Sequence, residues 1–200
     1  MSKICVAQLG VLLLLAAVAD GLAADPVYYV FQMDGKPIGY GEVTADELTL
    51  DGQSLQRLRS TTTLRFALGS ATHTVIRRAT TLVQPDSGAP TYYELTQDTN
   101  GNVNHVECKF EGQQVRTWQW REGAPKGDPK DTPATSPTHI LGSNDFAHWG
   151  LLLKAAAAQG ANGTAELTVF LPDVAQTQPF RLKRGEPQNL DVAGTSHACQ

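Results

Sequence analysis

Across residues 57–121 polar and apolar positions alternate with a period of two. Leu58, Ser60, Thr62, Leu64, Phe66 and Leu68 fall on one parity, and Arg57, Arg59, Thr61, Thr63 and Arg65 on the other. A strand with one buried and one wet face has this pattern, whereas a helix would mix the two sets. Residues 73–83 are rich in β-branched side chains and follow Gly69-Ser70, which predicts a hairpin. Residues 91–97 and 103–111 flank Asp98-Thr99-Asn100-Gly101, and Asn-Gly supplies the positive φ angles that tight hairpin turns require. In the second of these strands Val106, Cys108 and Phe110 point one way and His105, Glu107, Lys109 and Glu111 the other. Residues 115–121 alternate again and place Trp118 and Trp120 on a common face. Successive strands joined by short turns predict a meander, which at this length curls into an open barrel or a curved sheet.

The flanking segments extend this picture. Residues 27–33 and 38–44 are joined by Asp34-Gly35-Lys36-Pro37, a hairpin signal, with Tyr29, Phe31 and Met33 as the inward set. Residues 47–50, before Asp51-Gly52, predict a further short strand. From 122 to 137 prolines stand at every fourth position, Pro125, Pro129, Pro133 and Pro137, which predicts an extended, solvated loop, either a lid or a plain surface excursion. Residues 144–159 predict the one helix. Ser143 or Asn144 would cap it, Asp145 would sit in its first turn, Gly160 would close it, and Phe146, Trp149, Leu152, Leu153 and Ala156 would form its apolar stripe. Short strands follow at 165–171, 180–184 and 190–193. The last residues, 195–200, show neither cap nor strand partner and are expected to be a disordered or truncated tail. The predicted fold is therefore mainly β: an antiparallel curved sheet or open β-barrel with one amphipathic helix, in a single β-rich domain over residues 25–194.

Residues 1–24 carry Lys3, an apolar run at 9–18 and the small residues Ala23-Ala24, the pattern of a secretory signal peptide cleaved after Ala24, with Ala17-Val18-Ala19 as the competing site. The apolar run is too short to span a bilayer, which needs roughly 20 residues, so no membrane span is expected and the chain is expected in the periplasm or outside the cell. Removing 24 of 200 residues leaves 176, enough for a sizeable core, and the net charge stays at -4 because Lys3 and Asp20 leave together. A mildly acidic chain without a basic patch is not expected to bind nucleic acid. Cys108 and Cys199 remain after cleavage; they are a candidate disulfide in an oxidising compartment, with two unpaired thiols as the alternative.

The run Tyr29-Val30-Phe31-Gln32-Met33-Asp34-Gly35-Lys36-Pro37-Ile38-Gly39-Tyr40 resembles the start of exported bacterial β domains of unknown function that carry a strand, Gly-Lys, Ile-Gly-Tyr hairpin. Such domains also occur ahead of transglutaminase-like cysteine hydrolase domains. The later order is similar too: an Arg-rich alternating strand, the Asn100-Gly101 hairpin, a Pro-rich loop, a helix starting at Phe146-Ala147-His148-Trp149, then further strands. The resemblance implies a barrel-like antiparallel fold similar to periplasmic lipoprotein-carrier-like domains, which hold acyl chains in an apolar half-barrel, and it implies no established activity. The family pattern runs on past Cys199, so a truncated chain is expected.

No spacing in the chain points to catalysis, so no catalytic residue, metal ligand or cofactor is expected. His105 and Cys108 lie three apart on a strand and project to opposite faces, so the imidazole cannot serve the thiol. His73, His139, His148 and His197 lack metal-ligand spacing. No nucleophile elbow, phosphate-binding glycine loop or dinucleotide fingerprint is present. Phe66, Phe110, Trp118 and Trp120 are candidate lining residues for an apolar ligand, with an ordinary sheet core as the competing assignment. The expected function is a non-catalytic exported β domain that binds an apolar small molecule, a lipid or a protein partner. The alternative is an accessory N-terminal module of a larger exported, transglutaminase-like hydrolase.

Overall fold

The computed structural model describes residues 24–135, 138–143, 145–159, 163–183, 185, 188–192 and 195–199, with side chains from Asp25 to Gly185. The mainly β expectation holds. An eight-stranded antiparallel meander runs in sequence order through β1 (Ala24–Met33), β2 (Lys36–Leu50), β3 (Gln53–Leu68), β4 (Ala71–Val83), β5 (Pro90–Thr99), β6 (Asn102–Glu111), β7 (Gln114–Arg121) and β8 (Lys130–Pro133). Its end strands are not paired with each other, so the sheet stays open, as a curved sheet does, and does not close into a barrel.

Local chemistry sets the register. The turns at Asp34-Gly35, Asp51-Gly52 and Asn100-Gly101 each place two successive residues at positive φ, 51° and 73°, 50° and 79°, 54° and 85°, the conformation whose twist matches paired strands. At the last of these, Asp98 accepts a hydrogen bond from the Gly101 amide at 2.7 Å, and Asn100 accepts one from the Thr74 amide at 2.8 Å, tying the tip to β4. Residues 47–50 are not a separate strand: β2 and β3 pair without interruption from Gly39↔Leu64 to Leu50↔Gln53. Gly41, opposite Tyr29, is where a side chain is excluded, since a Cβ there would stand 2.2 Å from the Tyr29 ring.

A small sheet and the helix cover one face of the meander. The small sheet, of order β11-β10-β9, combines β10 (Thr164–Leu171), β11 (Gln176–Lys183) and β9 (Thr138–Ile140). Its β9–β10 pair is parallel, a departure from the all-antiparallel expectation. Phe170, Ile140, Ala134 and Ala175 pack onto Ala79, Tyr93, Leu95, Val106, Cys108 and Val115 of the meander. Fully burying side chains such as Phe170 and Ile140 contributes roughly 1.5–3 kcal/mol each. On its other side β10 presents Leu167 and Val169 to Leu152 and Trp149 of the helix α1 (Phe146–Ala158).

The helix begins at Phe146, two residues later than predicted. Asp145 is the N-cap, with extended backbone and a carboxylate that accepts from the Ala147 amide at 3.2 Å, so it caps the helix rather than lying in its first turn; Asn144 and Gly160 lie outside the described residues. The buried face is also rotated, with His148 and Leu152 at its centre and Leu153 and Ala156 only half-buried.

The proline-rich segment is not wholly loop. Residues 130–133 form β8 against Gln114–Thr117, with Pro133 as the last residue of an edge strand, where a missing N–H is tolerated. Met33, placed inward by its parity, is 40% exposed because it ends β1 at the turn. The terminal residues, expected to lack a partner, form β13 (Thr195–Cys199), which pairs antiparallel with β12 (Gln188–Val192). Residues 1–23, which hold nearly all of the leader-like sequence, lie outside the described residues.

Candidate functional site

The covered face of β4–β7 is built from cross-strand rows, and the rows change character along the strands. Thr81, Tyr93, Cys108 and Thr117 stand directly opposite one another, and all are buried. Two residues along, Ala79, Leu95, Val106 and Gln119 form the next row. Two further along lies a fully polar row, Arg77, Gln97, Asn104 and Arg121. The small sheet covers Tyr93, Leu95, Val106 and Cys108 of the first two rows, and its β10–β11 turn reaches Arg77 of the third; Gln119 and the rest of the polar row are left more open. A cleft of about 560 Å³ opens there, lined by the whole polar row together with Leu95, His105, Val106, Gln119, Trp120, Ser143 and Asp173.

The cleft wall is held by the turn between β10 and β11. The Arg77 guanidinium donates to the Gln97 side-chain oxygen and to Asp173, at 3.2 Å from Oδ1. Asp173 also accepts from the Ser143 amide at 3.2 Å. Gln119 donates to the Pro172 and Asp173 carbonyls at 3.0 and 3.3 Å, and Thr132 donates to the Ala175 carbonyl at 3.0 Å. Arg77 is therefore buried and fixed, whereas Arg121 and Gln119 are exposed and Asn104 is half-buried. Among the described residues the Arg121 and Asn104 side chains make no hydrogen bond or ion pair to the protein. The cleft thus presents a fixed, paired cation at one end and an unpaired one at the other.

Beneath the helix N-terminus lies a second polar group, closed to solvent. Nδ1 of His148 accepts a hydrogen bond from the Gly142 amide at 2.8 Å. A backbone N–H can only donate, so Nδ1 carries no proton and the ring is the Nε2–H tautomer, with Nε2 2.8 Å from the Thr81 hydroxyl. Burial holds the His148 pKa below the ordinary histidine value; Asp145, 3.6 Å away, pulls the other way but is outweighed. Tyr93, whose ring lies 5.5 Å from that of His148, has its pKa raised well above the usual phenol value by burial. The Tyr29 phenol, bonded to Thr62 at 3.2 Å, is pushed up to about 12 by burial. Among the described residues the Tyr93 hydroxyl and Asp145 Oδ2 have no hydrogen-bond partner. These groups anchor helix to sheet; a neutral, walled-in imidazole has no open path to a substrate.

The four aromatic residues proposed to line a ligand site are not brought together. Phe110 packs edge-on against Phe170 in the core, with centroids 5.7 Å apart. Phe66 stacks on His73 near the β3–β4 turn, at 5.7 Å. Trp118 and Trp120 share a face, as their parity requires, but it is the face opposite Val115 and Thr117. There Trp120 stacks on His105 at 5.0 Å, and the Lys126 ammonium lies 4.5 and 5.1 Å from the Trp118 and Trp120 rings. Lys126 also pairs with Glu107 at 2.6 Å. Of the four, only Trp120 borders the cleft, and its ring lies on the face of β7 opposite Arg121.

His105 and Cys108 lie on opposite faces, as their spacing requires: the imidazole stacks on Trp120 while the thiol is fully buried in the core. Cys108 is a free thiol that accepts from the Thr117 hydroxyl at 3.6 Å, and burial pushes its pKa up to about 12, which keeps it un-ionised and a poor nucleophile. The side chain of Cys199 lies outside those described. Among the described residues, no group of three or more His, Cys, Asp and Glu side chains is placed to hold a metal ion, and no helix is long and apolar enough to cross a membrane.

The polar row was readable in part. The Asn100-Gly101 and Gly112-Gln113 turns are two-residue loops, which put Gln97 opposite Asn104 and Asn104 opposite Arg121. The loop from β4 to β5 is longer and is followed by a register shift at Leu82/Val83, so Arg77 joins the row only in three dimensions. Comparison with protein-family models, with curated proteins and with solved structures finds no match to this chain.

Proposed function

We propose that this chain is a non-catalytic, exported β domain that binds a small polar ligand in the cleft bounded by Arg77, Gln97, Asn104 and Arg121. The observation that carries this reading is the division of a single sheet face into apolar rows occupied by the protein's own Ile140 and Phe170 and a polar row left open to a cleft of about 560 Å³, a size ordinary for small-ligand sites. The apolar-ligand version of the expectation has less support, because its four candidate lining residues are spread apart: Phe110 packs on Phe170 of β10, Phe66 on His73, and Trp118 and Trp120 lie on the opposite face. A binding role is favoured over catalysis because the buried titratable groups, His148, Tyr93 and Cys108, are held neutral and away from the cleft opening. Export is supported by the leader-like pattern in residues 1–24.

The test is an amide chemical-shift screen of the purified protein with a library of neutral and charged polar fragments. Saturable shifts centred on Gln97, Asn104, Gln119 and Arg121 are the expected result. Hits that map elsewhere, or no saturable hit, would remove the cleft as the binding site.

A further inference from the structure

Building on the cleft as the binding site, we infer that its ligand is a hydroxylated carboxylic acid of the sugar-acid type, with the carboxylate on Arg121 and the hydroxyls on the amides beside it. Charge comes first. The chain carries a net charge of -4, yet the cleft is lined by two guanidiniums and one carboxylate. Asp173 balances Arg77 at 3.2 Å and is itself tied to the Ser143 amide. Arg121 stands exposed at the other end of the row and has no partner among the described residues. The unbalanced charge of the cleft is therefore positive and sits at Arg121, whose planar fork matches a carboxylate in two parallel hydrogen bonds.

The next residue in the row adds a neutral hydrogen-bonding group. Asn104 lies directly opposite Arg121 and Gln97 directly opposite Asn104. The Asn104 amide is unpartnered among the described residues, and each side-chain amide offers an acceptor oxygen beside a donor nitrogen. A hydroxyl, which donates and accepts, fits such a pair; a bare hydrocarbon would leave both unsatisfied. Gln97 gives its oxygen to Arg77 and its nitrogen to Thr99 at 3.3 Å, which holds the neighbouring wall in place. A cation flanked by a free amide thus selects an anion that also carries hydroxyl groups, and with Arg77 already paired it selects a single negative charge.

The experiment titrates the intact protein with D-glucuronate and, separately, with D-glucose, following amide shifts at Asn104 and Arg121. Glucuronate is expected to bind about tenfold or more tightly than glucose, the contribution of a hydrogen bond to a charged group, and to weaken as salt is raised. The variant R121Q, altered at an exposed side chain, is expected to bind both sugars with equal affinity. Equal affinities in the unaltered protein, or a preference that survives in R121Q, would overturn the inference. If glucuronate causes no saturable shift while neutral fragments do bind in the cleft, the ligand class is wrong and the cleft stands. If neither class of compound perturbs the row, both this inference and the proposed function fall.

Discussion

The two ends of the covered face on β4–β7 are built from the same strands, the same turns and the same side-chain parity, yet they do different work. At one end Thr81, Tyr93, Cys108 and Thr117 are all buried, Tyr93 and Cys108 in one cluster with Phe170 and Ile140 and Thr81 against His148 of the helix. Four residues along each strand, Arg77, Gln97, Asn104 and Arg121 border an open cleft. A period of two decides which face a residue occupies; it does not decide what covers that face. The cover here comes from β9, β10 and the helix, which follow the meander in sequence, and its reach makes one set of positions core and leaves the next bordering a cleft.

This contrast is broken most severely by removing its cover. Phe170→Ala should destabilise the protein by about 3–5 kcal/mol, the usual range for deleting a buried aromatic ring. Denaturant unfolding monitored by tryptophan fluorescence measures this, and a loss below about 1 kcal/mol would mean that the apolar rows are not closed by the small sheet.

A smaller effect is expected from pH. His148 is buried with its pKa lowered in the folded protein, so below the ordinary histidine value, about 6.5, the unfolded chain binds a proton that the folded chain resists. Its contribution to stability is complete above that pH and declines as pH falls, at no more than about 1.4 kcal/mol per pH unit for one proton. The groups facing it set this sign: Asp145 favours the charged ring, whereas burial, the Gly142 amide aimed at Nδ1 and nearby Arg77 oppose it, with Asp173 a weaker attraction. Urea unfolding between pH 5 and 7 on the protein and on His148→Gln should show this segment of the slope only in the unaltered chain.

The smallest effect is expected at the open end. Arg121→Gln removes an exposed side chain without a protein partner among the described residues and should shift stability by no more than about 0.5 kcal/mol. A larger loss would make Arg121 a structural residue and weaken its assignment to a ligand.

What could be read from the chain follows the same division between local and distant causes. The Asp34-Gly35, Asp51-Gly52 and Asn100-Gly101 turns and the alternation of β3 and β6 were legible because each is fixed by neighbours a few residues away. The strand β8 was not, because its four residues are ordered by pairing with Gln114–Thr117 across a proline-rich segment. His148 at the centre of the helix face was hidden for a related reason. Its burial depends on Thr81, 67 positions earlier, and on the Gly142 amide, neither of which a helical periodicity contains. Trp118 and Trp120 were placed together correctly, but their parity could not say which face the later elements would cover.

The central claim is that the apolar rows are closed and the polar row is open, and the most direct measurement is an amide-shift titration with decanol, a neutral apolar chain. No saturable shift is expected at Tyr93, Leu95, Val106, Cys108, Ile140 or Phe170. Saturable shifts at these residues, with Arg77, Gln97, Asn104 and Arg121 unmoved, would contradict it and return the ligand site to the apolar face.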